Sequence, residues 1–213
     1  MNMKRILALA LCALMLLPVF GCAGETGEGA SGSGGADSQA STQAEKWVRE
    51  QIEANTLFSF EYGGKAFSEF IGDWDKKVDE SADDAGNKLL TLTYTQPDDK
   101  VVARADILLY KDFPAVDWVV NFENQNSSDS PVISNIQALD APLAYTGAAP
   151  ELRYPNGANA TEDDFKLLSA ALSEEPVTLG SNGGRSACGT MPFFDIVTEQ
   201  GGVIGAIGWT GQW

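Results

Sequence analysis

From Leu57 onward the chain alternates apolar and polar residues with a period of two, the mark of strands buried on one face. In "NTLFSFEY" the alternation puts Phe58, Phe60 and Tyr62 on one side, and Gly63-Gly64 suits a tight hairpin turn into "KAFSEFI". "KLLTLTYT" and "KVVARADILLY" alternate in the same way, joined through "QPDD". In the second, Val101, Ala103, Ala105, Ile107 and Leu109 share one face while Arg104 and Asp106 share the other. "AVDWVVNFEN" repeats this, with Val116, Trp118, Val120 and Phe122 inward and Asp117, Asn121 and Glu123 outward. "QNSSDS" is turn chemistry, "PVISNIQALDAPL" a returning strand, and "FFDIVTE", "QGG", "VIGAIGW" a closing hairpin. Two stretches break the period. "EKWVREQIEA" brings Trp47, Val48 and Ile52 together at near-helical spacing, and "TEDDFKLLSAAL" starts as a helix capped by Thr161 with acids in its first turn. Seven or eight short strands with so little helix predict an all-β fold, an antiparallel β-sandwich over residues 46–213, with no internal repeat and no α/β alternation.

The N-terminal region has another character. "MNMKRILALALCALMLLPVFG" places Lys4 and Arg5 before an apolar run that ends on a small residue, the pattern of an export signal over residues 1–21. Val19-Phe20-Gly21-Cys22 resembles the lipobox of bacterial lipoproteins, which implies a lipidated Cys22 at the start of the mature chain. Residues 22–45 are Gly, Ser, Ala and acid with no aromatic residue, a composition that predicts a disordered spacer. The expectation is an exported lipoprotein on the cell surface or the periplasmic side of a bacterial membrane, held there by its acyl chains alone.

Charge and missing residue types narrow the chemistry. The chain carries a formal charge of −16; losing Lys4 and Arg5 with the signal would leave 12 basic residues against 30 acidic, or −18. Such a surface repels nucleic acid and anionic lipid. There is no histidine, which excludes histidine-based nucleophilic catalysis and histidine-ligated zinc, so no metal or other cofactor is expected. Cys12 lies in the signal and Cys22 at the lipid site, so Cys188 has no disulfide partner. "GSNGGRSACGT" is glycine-rich, but Arg185 stands where a phosphate loop needs its second glycine. Exposed tryptophans hold sugars by stacking on the apolar face of a pyranose. Trp74, between Asp73 and Asp75, fits either that role or the core, and Trp209 and Trp213 are further candidates.

Three pieces near the C-terminus carry a family resemblance. Arg185-Ser186, Pro192-Phe193 seven and eight positions after the arginine, and the strand ending in Trp209-Thr210-Gly211-Gln212-Trp213 resemble the N-terminal domain of glycoside hydrolase family 36, the α-galactosidases and their relatives. Asp164-Phe165-Lys166 looks like the family's Asp-aromatic-Arg triplet, and "FPAVDWVVNFEN" like a core strand of its sandwich. The chain departs from the family at Lys166, Ala187, Met191, Thr210 and Gln212, which marks a distant branch.

The resemblance implies a sandwich of the galactose-mutarotase type preceding a (β/α)8 catalytic barrel. Both catalytic aspartates of the family lie in that barrel, so residues 46–213 would hold no catalytic residue. The chain would then be cut at the seam between sandwich and barrel, and the substrate, an oligosaccharide or galactoside, would be bound mainly by the missing part. Asp164 and Arg185 would sit near the barrel mouth, unless they merely pair with each other, and the sandwich would share in subunit contacts of a homo-oligomer. The alternative is a free-standing lectin-like surface lipoprotein that captures glycans through Trp74, Asp73 and Trp209.

Overall fold

A computed structural model describes residues 7–17, 34–172 and 175–213. The chain is all-β and sandwich-like, built from four-stranded antiparallel sheets with little helix. Within the N-terminal region Leu7–Leu17 is a strand, β1. The proposed lipid site Cys22 and the first part of the spacer lie outside the described residues. Within the residues read as a spacer, α1 begins at Gly34 and runs Gly34–Ala54. The segment around Val48 and Ile52 supplies a nucleus held by packing, and the Ala, Gln and Glu ahead of it extend the helix at little cost once that nucleus exists. Asn55, at φ +58°, ends the helix. Thr56 N–H then reaches back to Gln51 O at 2.9 Å, the six-to-one bond that closes many helices.

The remainder divides into two compact units, each described by itself. The first holds β2 (Ser59–Tyr62), α2 (Phe67–Phe70), a 3-10 turn (Ile71–Asp73), β3 (Asp75–Ala82), β4 (Lys88–Thr95), β5 (Val101–Leu109), β6 (Ala115–Asn124) and β7 (Ile133–Gln137). Strands β3 to β6 pair antiparallel in chain order, and β2 pairs with β7 as a separate ribbon. The inward residues read from the alternation are the buried ones. Leu90, Leu92, Tyr94, Ala103, Ala105, Ile107, Val116, Trp118 and Val120 are all at most 1% exposed. The ribbon covers this face through Phe60, whose ring lies 4.9 Å from that of Phe122, and Phe58, 5.9 Å from Tyr94.

Helix α1 is tied to the same sheet at several points. Arg49 reaches Glu80 at 2.7 Å, Lys88 reaches Glu45 at 2.7 Å, and Tyr94 donates its hydroxyl to Asn55 Oδ1 at 2.8 Å. β3, absent from the sequence reading, is exposed along its length. It is a charged edge strand, which an apolar alternation cannot reveal.

The hairpin expected after Tyr62 is one bridge long. Gly63 and Gly64 do turn the chain, at φ +59° and +78°, and Tyr62 pairs with Lys65, but "FSEF" is helical. Phe67 and Phe70 stand three apart, and Glu69 accepts a bond from Ala66 N–H at 2.7 Å, so local capping overrides strand pairing.

The second unit is built on β8 (Glu151–Pro155), β9 (Leu167–Ala171), β10 (Phe193–Thr198) and β11 (Gly201–Ile207). They form an antiparallel sheet in the order β11-β10-β8-β9. The helix expected from Thr161 does not form. Residues 161–165 are a turn and Leu167–Ala171 is strand β9, since pairing with β8 along five positions outweighs a weak local cap.

Candidate functional site

Two loops of the second unit, residues 156–166 and 180–190, are laced together. Gly157 N–H donates to Gly189 O at 2.9 Å and Ala158 N–H to Ala187 O at 2.7 Å. Asn159 clamps the same junction, accepting from Gly189 N–H at 2.8 Å. The approach is so close that a Cβ on Gly157 would fall 2.3 Å from Ala187 O. The C-terminal residue joins from a third direction. Trp213 donates its indole N–H to Ser186 O at 2.8 Å and its backbone N–H to Ser181 Oγ at 2.9 Å.

Asp164 organises the first loop. Its carboxylate accepts from the backbone N–H groups of Asn159 at 2.9 Å, Ala160 at 3.0 Å and Thr161 at 3.1 Å, and from Thr161 Oγ1 at 3.1 Å. The capping relation is thus the reverse of the expected one, with Asp164 holding Thr161. Desolvation opposes the charge, but these bonds prevail and lower the carboxyl's pKa from its ordinary 3.8. A group depressed on folding contributes stability above its unfolded pKa and loses it as pH falls through the folded value. Titration followed by NMR is therefore expected to free the Asn159, Ala160 and Thr161 amides together at acid pH. Asp164→Asn should leave them less protected at neutral pH and flatten the acid transition; amides that respond identically in both proteins would contradict this.

Arg185 is exposed at the tip of the second loop. Its guanidinium lies 4.0 Å from Cys188 Sγ, and Asp164 spends its oxygens on its own loop, so the two do not hold the loops together as an ion pair. Asn159 does so instead, and nothing in its sequence context marks it out. Trp209 is 47% exposed, and its indole folds over Gly211, where a Cβ would lie 2.6 Å from Nε1.

Trp74 is a correction to the sugar-stacking expectation, since it is 6% exposed. Its ring packs against Phe60, Tyr62 and Phe70 at centroid distances of 5.8, 5.1 and 5.3 Å. Four rings meet there, and a face already covered by protein cannot accept a pyranose. Asp73 remains exposed at the surface of the first unit; Asp164, Arg185 and Trp209 belong to the second.

Beside the laced loops an open cavity of about 390 Å³ is lined by Phe165, Leu167, Met191 and Phe193, together with Arg153 and Asp195. Phe165 is 61% exposed and Leu167 66%. Phe165 also holds φ at +61°, a region that bulky residues seldom occupy. In the first unit a more polar cavity of about 460 Å³ is lined by Glu123, Asn124, Asp129 and Ser130 beside Phe122. Among the described residues no cluster of three or more acidic or cysteine side chains is placed to hold a metal ion, and no helix is long and apolar enough to cross a membrane.

The fold and these loops define the class, a β-rich sandwich-like protein whose distinctive surface is a loop junction next to an apolar groove. No protein-family model, curated protein or solved structure matches the chain.

Proposed function

We propose that residues 46–213 are the non-catalytic N-terminal domain of an exported, lipid-anchored glycoside hydrolase of α-galactosidase type, acting in carbohydrate breakdown. One observation supports this reading above others. The separate pieces that carry the family resemblance, around Asp164, Arg185 and Trp213, are far apart in sequence and meet at one junction. Loops that only connected strands would have no need of that convergence. In this reading the junction faces the catalytic barrel, and Arg185, free of an ion pair with Asp164, is the side chain available to reach it. The barrel's two aspartates would do the chemistry, one protonating the glycosidic oxygen and the other attacking the anomeric carbon.

The lectin-like reading is weaker, because Trp74 is packed in the core and only Trp209 of its aromatic candidates keeps an open face. The complete gene product is expected to continue into a (β/α)8 barrel and to hydrolyse a chromogenic α-galactoside, while residues 46–213 alone do not. A reading frame closed at Trp213, or hydrolysis by residues 46–213 alone, would overturn the proposal.

A further inference from the structure

The edge strand β3 of the first unit and the edge strand β9 of the second differ in character. β3 carries Asp75, Lys76, Lys77, Asp79 and Glu80 along an exposed edge, the usual protection against pairing with a foreign strand. β9, "LLSAA", ends the other sheet and carries no charge.

The direction of its backbone groups follows from its neighbours. Leu172 N–H donates to Pro150 O at 2.8 Å, and Asn156 N–H donates to Lys166 O at 2.9 Å. The even-numbered residues therefore turn their N–H and C=O toward β8. By strand alternation Leu167, Ser169 and Ala171 turn theirs outward, three donors and three acceptors along one edge. Those same residues put their side chains on the groove face, where Leu167 stands next to Phe165 and Phe193. A strand laid along β9 would thus find hydrogen bonds at the edge and an apolar surface for its alternate side chains, which sit about 5 Å from their cross-strand neighbours. Acids outnumber bases around this edge. Glu162 and Asp163 precede it, Glu175 follows it, and Glu151 lies opposite Ala171, against Lys166 and Arg153, which pair with Asp163 and Glu151.

We propose that the β9 edge is a strand-addition site. Its occupant is an extended segment of a partner protein with alternating apolar residues and basic flanks. The apolar residues answer Leu167 and Phe165, and the basic flanks answer the acidic excess at either end, Glu162 before the strand and Glu175 after it. A second copy of this chain is a poorer occupant, since two such acidic ends would be brought together. The inference uses the backbone edge of β9 and does not rest on the glycosidase reading.

The test uses the full chain and a fluorescent acetylated peptide, Lys-Lys-Val-Thr-Val-Thr-Val-Lys-Lys, with anisotropy as readout. Saturable binding is expected, weakened about tenfold or more when salt screens the flanks or when they are changed to glutamate. N-methylation of alternate amides should abolish binding on one peptide edge only. Hydrogen exchange should slow at Leu167, Ser169 and Ala171.

Ala171→Pro removes an outward N–H without touching the β8 ladder, and Leu167→Lys places a charge in the groove. Either variant, if folded by circular dichroism, should lose at least about tenfold in affinity, the scale of one lost 1.4 kcal/mol interaction. Binding unaffected by both variants, or protection elsewhere than β9, overturns the proposal. So does a dimer of the unmixed chain with β9 already protected, which would make a second copy the occupant.

Discussion

Trp74→Ala is expected to destabilise the first unit strongly and to remove no direct glycan contact. Large aromatic-to-alanine changes in a core cost about 3–5 kcal/mol, against a total stability of about 5–15 kcal/mol for an ordinary domain. The loss is at the upper part of that range because the indole sits among Phe60, Tyr62 and Phe70. No neighbour is free to fill the void, since Phe60 is itself held by Phe58, Phe67 and Phe122. Denaturant melting checks it, with the midpoint falling and the slope unchanged. Trp74→Phe, which keeps most of the volume, should recover over half of the loss. If Trp74→Ala melts like the parent and a glycan that binds the parent no longer binds, the indole is a ligand contact and the packing account is wrong.

Trp118→Ala is expected to be comparably severe for an additional reason. Trp118 is fully buried, and its indole N–H donates to Ala138 O at 2.6 Å, fastening the segment after β7 to the sheet. Removing the ring creates a cavity worth about 3–5 kcal/mol. The carbonyl left without its donor adds about 1–3 kcal/mol if water cannot reach it. Trp118→Phe separates the two in part, because it keeps one six-membered ring and loses the donor with the rest of the indole. It should fall about 1–3 kcal/mol below the parent, and the exchange of amides flanking Ala138 should quicken. A Phe variant as stable as the parent would mean that the Ala138 carbonyl is satisfied by water and the bond contributes little.

Where the alternation was strong, sequence and structure agree residue by residue. β4, β5 and β6 bury the side chains the two-residue period assigns inward, because a sheet with one solvated face has no other register that keeps Trp118 and Ile107 dry. The failures share a different cause. β3 has no apolar face to detect. "FSEF" and "TEDDFKLLSAAL" are short enough for their outcome to depend on what lies beside them. In the first, a local cap and a cluster of aromatic rings favoured helix; in the second, β8 was available and the residues became strand.

The same division holds for the candidate site. The absence of histidine, the acid excess and the lone Cys188 were legible directly and bound the chemistry whatever the fold. The roles of Asp164, Arg185 and Trp74 were not, since a carboxylate's partners and an aromatic ring's exposure depend on residues distant in sequence.

Sequence alone therefore determined the all-β class, the inward faces of the central strands and the chemistry the chain lacks. These follow from periodicity and composition, which every residue carries with it. Only the tertiary structure decided that Trp74 is core, that Asn159 and not an Asp164–Arg185 pair joins the two loops, and that β9 presents an uncharged edge beside an apolar groove. Each depends on contacts between segments tens of residues apart, and long-range pairing energies set those contacts where local propensity leaves several conformations close in energy.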